Sequence, residues 1–366
     1  MEKLNVIYNN KTVGYLAKYN EKYAFSYDEK WINEGFSISP FSLPLKEGVF
    51  IPKNNVFNGL FGVFADSLPD SWGNLLLDRY IKKEGIKEAD GLIRLSIIGT
   101  SGMGALEYYP IQEFKDDSEF DIDKYQIEAN KILNQEESDL DYLFKYGGSS
   151  GGARPKVLVK IDNEDWIIKF ESKFDFKDFG VCEYEYALAC IEIGIDMPEV
   201  KLFDSKTNKG YFGIKRFDRT NGKKVHMISA AALLEVDFRS PCIDYNDLFK
   251  LTRIITKDSI SDLKELFLRM CFNVYAHNLD DHAKNFSYLY DENVKRYKLS
   301  PAYDMTYSNT YYMEHTTSVN GKGKDINDND LISVGLNAGL EKEFMLNSIS
   351  KIKSVIKKRL ISYLSK

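Results

Sequence analysis

The feature that most constrains the fold is a change of pattern within one stretch. Leu263, Leu266, Phe267, Met270, Cys271 and Val274 recur at helical spacing, which predicts a helix with one buried face. That helix runs directly into a polar loop, Asn278-Leu279-Asp280-Asp281-His282-Ala283-Lys284-Asn285-Phe286-Ser287. Ser287-Tyr288-Leu289-Tyr290 then alternates, Asp291-Glu292-Asn293 supplies a polar turn, and residues 294–299 return. This predicts a short β-hairpin. The open end of a hairpin holds its first and last residues together. Asp280 and Asn285, just before the hairpin, and Asp304, just after it in Leu299-Ser300-Pro301-Ala302-Tyr303-Asp304, are therefore expected to converge.

Such a set has a definite chemistry. Mg²⁺ is a hard cation, and one amide and one carboxylate suit it alongside phosphate oxygens. Asn285 and Asp304 supply that pair, which leaves Asp280 to act on an acceptor hydroxyl. The five-residue step from Asp280 to Asn285 is also the step used in protein-kinase catalytic loops. Asp281 is an adjacent rival, and the spacing favours Asp280. A polar turn with capping Asp and Asn residues would give the same pair by itself; the hairpin and Asp304 weigh against that. No His-Glu-x-x-His or Cys/His cluster surrounds His282, so it is expected to shape the loop through hydrogen bonds.

A second signal lies upstream. Tyr146-Gly147-Gly148-Ser149-Ser150-Gly151-Gly152-Ala153-Arg154-Pro155-Lys156 opens into an apolar strand, 157–161, and a polar turn leads to a second, 166–170, which carries Lys169. Glycines let backbone N–H groups approach phosphate oxygens, and Arg154 and Lys156 add positive charge. No Gly-Lys-Ser/Thr closes the loop, so it is not a P-loop; a flexible linker would share its glycines. Lys169 stands where a kinase places its phosphate-pairing lysine, with Glu183 and Glu185 available on the following helix. That helix is expected from about Val181 to Ile193, with Val181, Tyr184, Leu188 and Ile191 as its apolar stripe. A further hairpin is expected, from Val200 to Phe203 and from Tyr211 to Phe217.

Residues 3–28 alternate as a small antiparallel meander. A helix with an acidic start is expected around residues 66–80, followed by the glycine-punctuated stretch 98–106. Residues 112–141 are acidic and read as a surface connection with one helix near residues 124–134. The formal net charge of −6 argues against extensive direct nucleic-acid binding, which needs a surplus of Lys and Arg. The four cysteines are scattered and are expected to be reduced core residues of a cytoplasmic protein. No apolar run approaches the roughly 18 residues of a membrane helix, and the first residues lack the apolar region of a signal peptide.

Taken together, the motifs resemble the HipA-like serine/threonine kinases, toxins of bacterial type II toxin–antitoxin modules, over nearly the whole chain. The 278–287 loop looks like the family's catalytic loop, 299–304 like its metal-binding segment, and 149–156 like its glycine-rich loop. Residues 61–70 and 102–106 are similar to its N-terminal subdomain. The resemblance implies an α+β, two-lobed protein-kinase-like fold with a small β-rich N-terminal subdomain and a mainly helical C-lobe. The divisions expected are 1–110 for that subdomain, 111–145 for the acidic connection, 146–220 for the ATP-binding core and 221–366 for the helical lobe. It implies Asp280 as catalytic base and Asn285 and Asp304 as Mg²⁺ ligands. ATP contacts would come from Ser150, Gly151, Gly152, Ala153, Lys156, Lys169, Lys215, Phe217, His282 and Lys284. Ser149 matches a loop serine that family members autophosphorylate to silence themselves, and Ser150 is its rival. The implied partners are a protein substrate such as an aminoacyl-tRNA synthetase and a helix-turn-helix antitoxin, with DNA reached only through the antitoxin and no membrane. Two other readings share these residues: a small-molecule kinase, and a silent ATP-binding partner of the antitoxin.

Overall fold

The computed structural model describes residues 2–112, 119–172, 175–310 and 312–364. Contacts divide the chain into two units, one of Met1–Gly180, Leu202–Ile228 and Ala232–Glu235, the other of Val181–Lys201, Ser229–Ala231 and Val236–Lys366.

The first unit opens with the expected meander. Strands β1 (Lys3–Tyr8), β2 (Lys11–Tyr19) and β3 (Lys22–Tyr27) pair antiparallel, and β4 (Leu106–Tyr109) completes the order β3-β2-β1-β4. Asn9 and Asn10 take φ values of 44° and 66°, the left-handed turn that asparagine tolerates best among non-glycine residues. Leu4, Val6 and Tyr8 face the core. The distant strand β4 leaves no local signal next to β1.

Residues 122–147 do more than connect. They form two helices, Ile122–Leu133 and Leu140–Gly147, started by the side chains of Asp121 and Asp139. Tyr125, Ala129, Ile132, Tyr142 and Leu143 are buried in one core with Trp72, Leu76, Val157 and Ile168. The expectation of a surface connection is corrected here: Asp121 and Asp139 occupy caps, most of the apolar residues face inward, and Ile127 is left 51% exposed. Each large side chain so buried contributes about 1.5–3 kcal/mol. Strands β5 (Lys156–Ile161) and β6 (Glu164–Lys169) then form the expected hairpin, in a sheet of order β5-β6-β8-β7 with β7 (Val200–Phe203) and β8 (Tyr211–Lys215).

The second unit is mainly helical, with helices Tyr245–Ile255, Ile260–Tyr275, Asp328–Asn337 and Lys342–Arg359. Of the expected stripe, Leu263, Leu266, Phe267, Met270 and Cys271 are buried and Val274 is half-buried. The helix Phe179–Ile193 is not turned as expected. It buries Cys182, Tyr186, Ala187, Ala189, Cys190 and Ile193, and Ile191 is 47% exposed. Apolar residues are spread around this helix among Glu183, Glu185 and Glu192, so no single stripe marks the buried face; its small Ala and Cys side chains allow the closest packing. Cys182, Cys190 and Cys271 are buried free thiols, whereas Cys242 is exposed rather than in the core. Among the described residues no helix is long and apolar enough to cross a membrane.

Candidate active site

In the first unit the glycine-rich loop is a fixed structure. A Cβ at Gly147 would lie 2.0 Å from the Tyr125 hydroxyl, and one at Gly148 2.3 Å from the Phe144 ring. Those two glycines serve close packing at a helix end. Ser150 is fully buried and its hydroxyl donates to Gly147 O at 2.6 Å, whereas Ser149 is half-buried. Gly152, at φ 85°, donates its N–H to Asp70 Oδ2 at 3.1 Å and accepts from Trp72 N–H at 3.1 Å. Asp70 precedes the helix Ser71–Lys83 but makes no side-chain cap there; its carboxylate holds the loop. Ala153 at the bend is exposed. Arg154 does not stand ready for phosphate: its Nε donates to both Asp175 oxygens at 2.9 and 3.1 Å, and its guanidinium covers the Phe179 ring at 3.9 Å.

Lys156 and Lys169 lie directly opposite one another on β5 and β6 and are only 7% and 8% exposed. Paired strand positions share a sheet face, so two ammonium groups are concentrated beside the loop. A Cβ at Gly152 would lie 2.4 Å from Lys156 Nζ. At the end of β8, Lys215 Nζ pairs with Glu164 at 2.9 Å, and Phe217 is half-buried.

Between and beyond them lies a cluster that the sequence reading missed. Arg216 Nε and Nη2 donate to Asp218 at 2.9 and 2.8 Å, and Arg219 Nη1 reaches Asp218 Oδ2 at 3.0 Å. The Gly104 N–H donates to the same oxygen at 2.7 Å. Arg216 also donates to Gly102 O, and Arg219 to Gly102 O and Gly104 O. Burial pushes the Asp218 carboxyl up, but Arg216, then Arg219 and the Gly104 N–H, pull it down to about 2. The alternation Arg216-Phe217-Asp218-Arg219 after an apolar strand was the available signal. The glycine-punctuated stretch supplies the carbonyls and one N–H of this cluster; its glycines themselves answer to the left-handed φ of 72° at Gly104 and to Ser67 O, 3.0 Å from a Cβ at Gly102.

In the second unit the expected hairpin forms from Ser287–Asp291 and Arg296–Leu299. Its open end is closed by Ser300 N–H on Ser287 O at 2.8 Å. The Tyr303 hydroxyl donates to Lys284 O at 2.7 Å and, its one proton being used, accepts from Ser287 Oγ at 2.6 Å. Residues 284–287 and 300–303 are thus held together. Asn285 donates through Nδ2 to Asp280 O at 2.7 Å, which leaves Oδ1 as the acceptor. Asp304 adopts φ 53°, and its carbonyl accepts from Asn278 Nδ2 at 3.2 Å. Asn278 also reaches Asn273 at 2.9 Å and accepts from the Ser308 hydroxyl at 2.8 Å, while that hydroxyl accepts from Asp280 N–H at 3.0 Å.

Exposure separates the two adjacent acids: the Asp280 side chain is 57% exposed and that of Asp281 is 0%. His282 departs from expectation. Its Nδ1 has no hydrogen-bond partner among the described residues, its Nε2 lies 3.9 Å from Asp280, and its ring packs on Phe238. It shapes the loop by packing. Lys284 Nζ lies 5.1 Å from the same Phe238 ring. Among the described residues no group of three or more His, Cys, Asp or Glu side chains is placed to hold a metal. The donor set of one amide oxygen and one carboxylate fits a hard divalent ion that takes its other ligands from phosphate and water.

Comparison with known proteins adds a family. Residues 4–109 match the HipA N-terminal domain, and residues 148–360 the HipA-like C-terminal domain. Y4dM of Sinorhizobium fredii, named a putative kinase, is 27% identical over 304 residues, covering 77% of this chain and 71% of the relative. Y4mE of the same organism, named likewise, is 25% identical over 348 residues, covering 82% and 76%. The HipA of the Shewanella oneidensis MR-1 toxin–antitoxin system, solved with HipB and its operator DNA, superposes with a TM-score of 0.75 at 17% identity. The match covers 99% of this chain and 90% of that one. At that identity the likeness concerns the fold.

Proposed function

The chain belongs to the HipA-like family, and from that premise we propose that it is an ATP- and Mg²⁺-dependent kinase that phosphorylates protein Ser or Thr hydroxyls. The observation that supports this best is the closure of the hairpin's open end by Tyr303, which brings the Asn285 and Asp304 neighbourhoods together beside an exposed Asp280. Asp280 would orient the acceptor hydroxyl and take its proton. Asn285 and Asp304 would hold Mg²⁺, which when bound neutralises charge on the transferring phosphoryl group. Lys156 and Lys169 would pair with phosphate oxygens beneath the loop from Ser150 to Ala153. Lys215 and Phe217 would border the adenine, and His282 and Lys284 the phosphates. Of the two acids expected to pair with Lys169, Glu183 is buried and Glu185 bonds Arg359 at 3.2 Å.

Ser149 is the expected autophosphorylation site. It is half-buried, while Ser150 is buried and hydrogen-bonded. A phosphate there would add a charge of about −1.5 to −2 in the loop that Asp70 holds. By likeness to the Shewanella system, a HipB-type antitoxin is the proposed partner, with DNA contacted through it, and the proposed role is that of a toxin acting on a translation protein such as an aminoacyl-tRNA synthetase.

The test is intact-mass measurement after incubation with ATP and Mg²⁺, beside Asp280→Ala. One added phosphate in the wild type alone, mapped to Ser149, is the expected result; transfer that survives Asp280→Ala overturns the assignment. Induced expression should arrest growth, and equal arrest by Asp304→Ala would sever the toxin role from the kinase chemistry.

A further inference from the structure

Immediately after Asp280 the chain buries a charged group that the proposed chemistry does not use. Asp281 Oδ2 accepts from the Tyr245 hydroxyl at 2.9 Å and from His315 Nδ1 at 3.0 Å, and Oδ1 accepts from Thr317 N–H at 3.1 Å. The Asp281 carbonyl accepts from the Thr317 hydroxyl at 2.5 Å. A carboxylate only accepts, so His315 carries its proton on Nδ1. Asn273 Nδ2 donates to the Tyr245 oxygen at 2.9 Å, which leaves the phenolic proton aimed at Asp281. Burial pushes Tyr245 well above the ordinary tyrosine range, so it stays a donor.

Burying a carboxylate is costly unless its bonds compensate, and an apolar filler would be cheaper. What a carboxylate supplies here is two oxygens that accept from two separated segments, at residue 245 and at residues 315–317. On the other side of Asp280, its own N–H is held by Ser308, which Asn278 holds in turn.

We propose that Asp281 is a positioning residue that, with His315, fixes the backbone on the C-terminal side of Asp280 and so the aim of the exposed Asp280 carboxylate. The proposal rests on the reading of Asp280 as the group that meets the acceptor hydroxyl. Adjacent residues share a peptide plane, so a shift at 281 is transmitted to the Cα of 280. A misplacement of about 1 Å can cost roughly a hundredfold in rate.

The test compares wild type, Asp281→Asn, His315→Leu and His315→Asn in steady-state phosphoryl transfer, nucleotide affinity and thermal unfolding. Asp281→Asn turns one acceptor into an NH₂ facing a donor, and His315→Leu removes one donor. Both are expected to lower kcat by about ten- to a hundredfold, with KM for ATP and nucleotide affinity unchanged within about twofold. His315→Asn, whose amide can donate in place of Nδ1, is expected to recover most of the rate. Wild-type kcat in folded Asp281→Asn or His315→Leu overturns the proposal, as does a rate loss matched by equal loss of nucleotide affinity. If Asp281→Asn does not fold, the two His315 variants decide, and failure of His315→Asn to recover counts against it. Absence of transfer by the wild type would instead sink the kinase reading on which the proposal stands.

Discussion

Two buried carboxylates, one in each unit, are satisfied in opposite ways. Asp218 is met by two guanidinium groups and one backbone N–H. Asp281 is met by a phenol, an imidazole and a backbone N–H. The ionic solution binds strands and loops of the first unit into one body, because guanidinium forks reach several carbonyls at once. The second solution, without lysine or arginine, supports a loop whose neighbour is exposed.

The largest effect should come from residues outside both networks. Asp280→Ala is expected to lower phosphoryl transfer by about 10²- to 10⁴-fold while leaving the melting temperature nearly unchanged, since its side chain is more than half exposed. A matching loss of stability, seen in a thermal melt, would mean that Asp280 belongs to the supporting network after all.

Next comes the ionic cluster. Asp218→Ala strands two buried guanidinium groups and is expected to cost about 3–5 kcal/mol in denaturant unfolding. An effect below about 1 kcal/mol would show that solvent reaches the site and would erase the contrast between the two carboxylates.

The pH dependence sharpens the same contrast. Asp218 sits at about 2, below its unfolded value, so its stabilisation is complete above about pH 4 and is lost as pH falls toward 2. His226, buried with Nε2 on Ile38 O at 2.9 Å, is held neutral by burial, down to about 4. Its contribution is complete above about pH 6.5 and is lost as pH falls to 4. Unfolding followed across pH should show the second slope near pH 5, and His226→Gln should flatten it.

The smallest effect belongs to the half-exposed pairs. Arg154→Gln breaks the contact with Asp175, where the two side chains are 28% and 7% exposed. It should cost about 1 kcal/mol without abolishing transfer; full loss of nucleotide binding would restore Arg154 to the phosphate-binding set.

What the sequence made legible were features with a local period or a local motif. The meander 3–27, the helix 260–275 and the hairpin 287–299 all follow from alternation or a stripe, and the approach of 284–287 to 300–303 follows from the hairpin. The choice between Asp280 and Asp281 was made on spacing, and the difference in their exposure favours the same choice. What could not be read depended on partners distant in sequence. The Asp218 cluster joins residues about 115 positions apart, strand β4 joins β1 across nearly a hundred, and Asp281 meets His315 only in three dimensions. The Phe179–Ile193 helix failed for a different reason: apolar residues spread around it, with glutamates among them, leave little contrast by which to orient it.

The bonds from Arg216 and Arg219 to Gly102 and Gly104 bear on how such a chain can be cut. Residues up to 110 look like a separable module in sequence, yet their backbone carbonyls are partners of guanidinium groups that follow β8. Removal of the amino-terminal third would take away the Gly102 and Gly104 partners, leaving the cations with Asp218, beside a core that had also lost Trp72 and Leu76. Shortening the chain to the part that carries the catalytic motifs should therefore yield aggregation rather than a minimal enzyme.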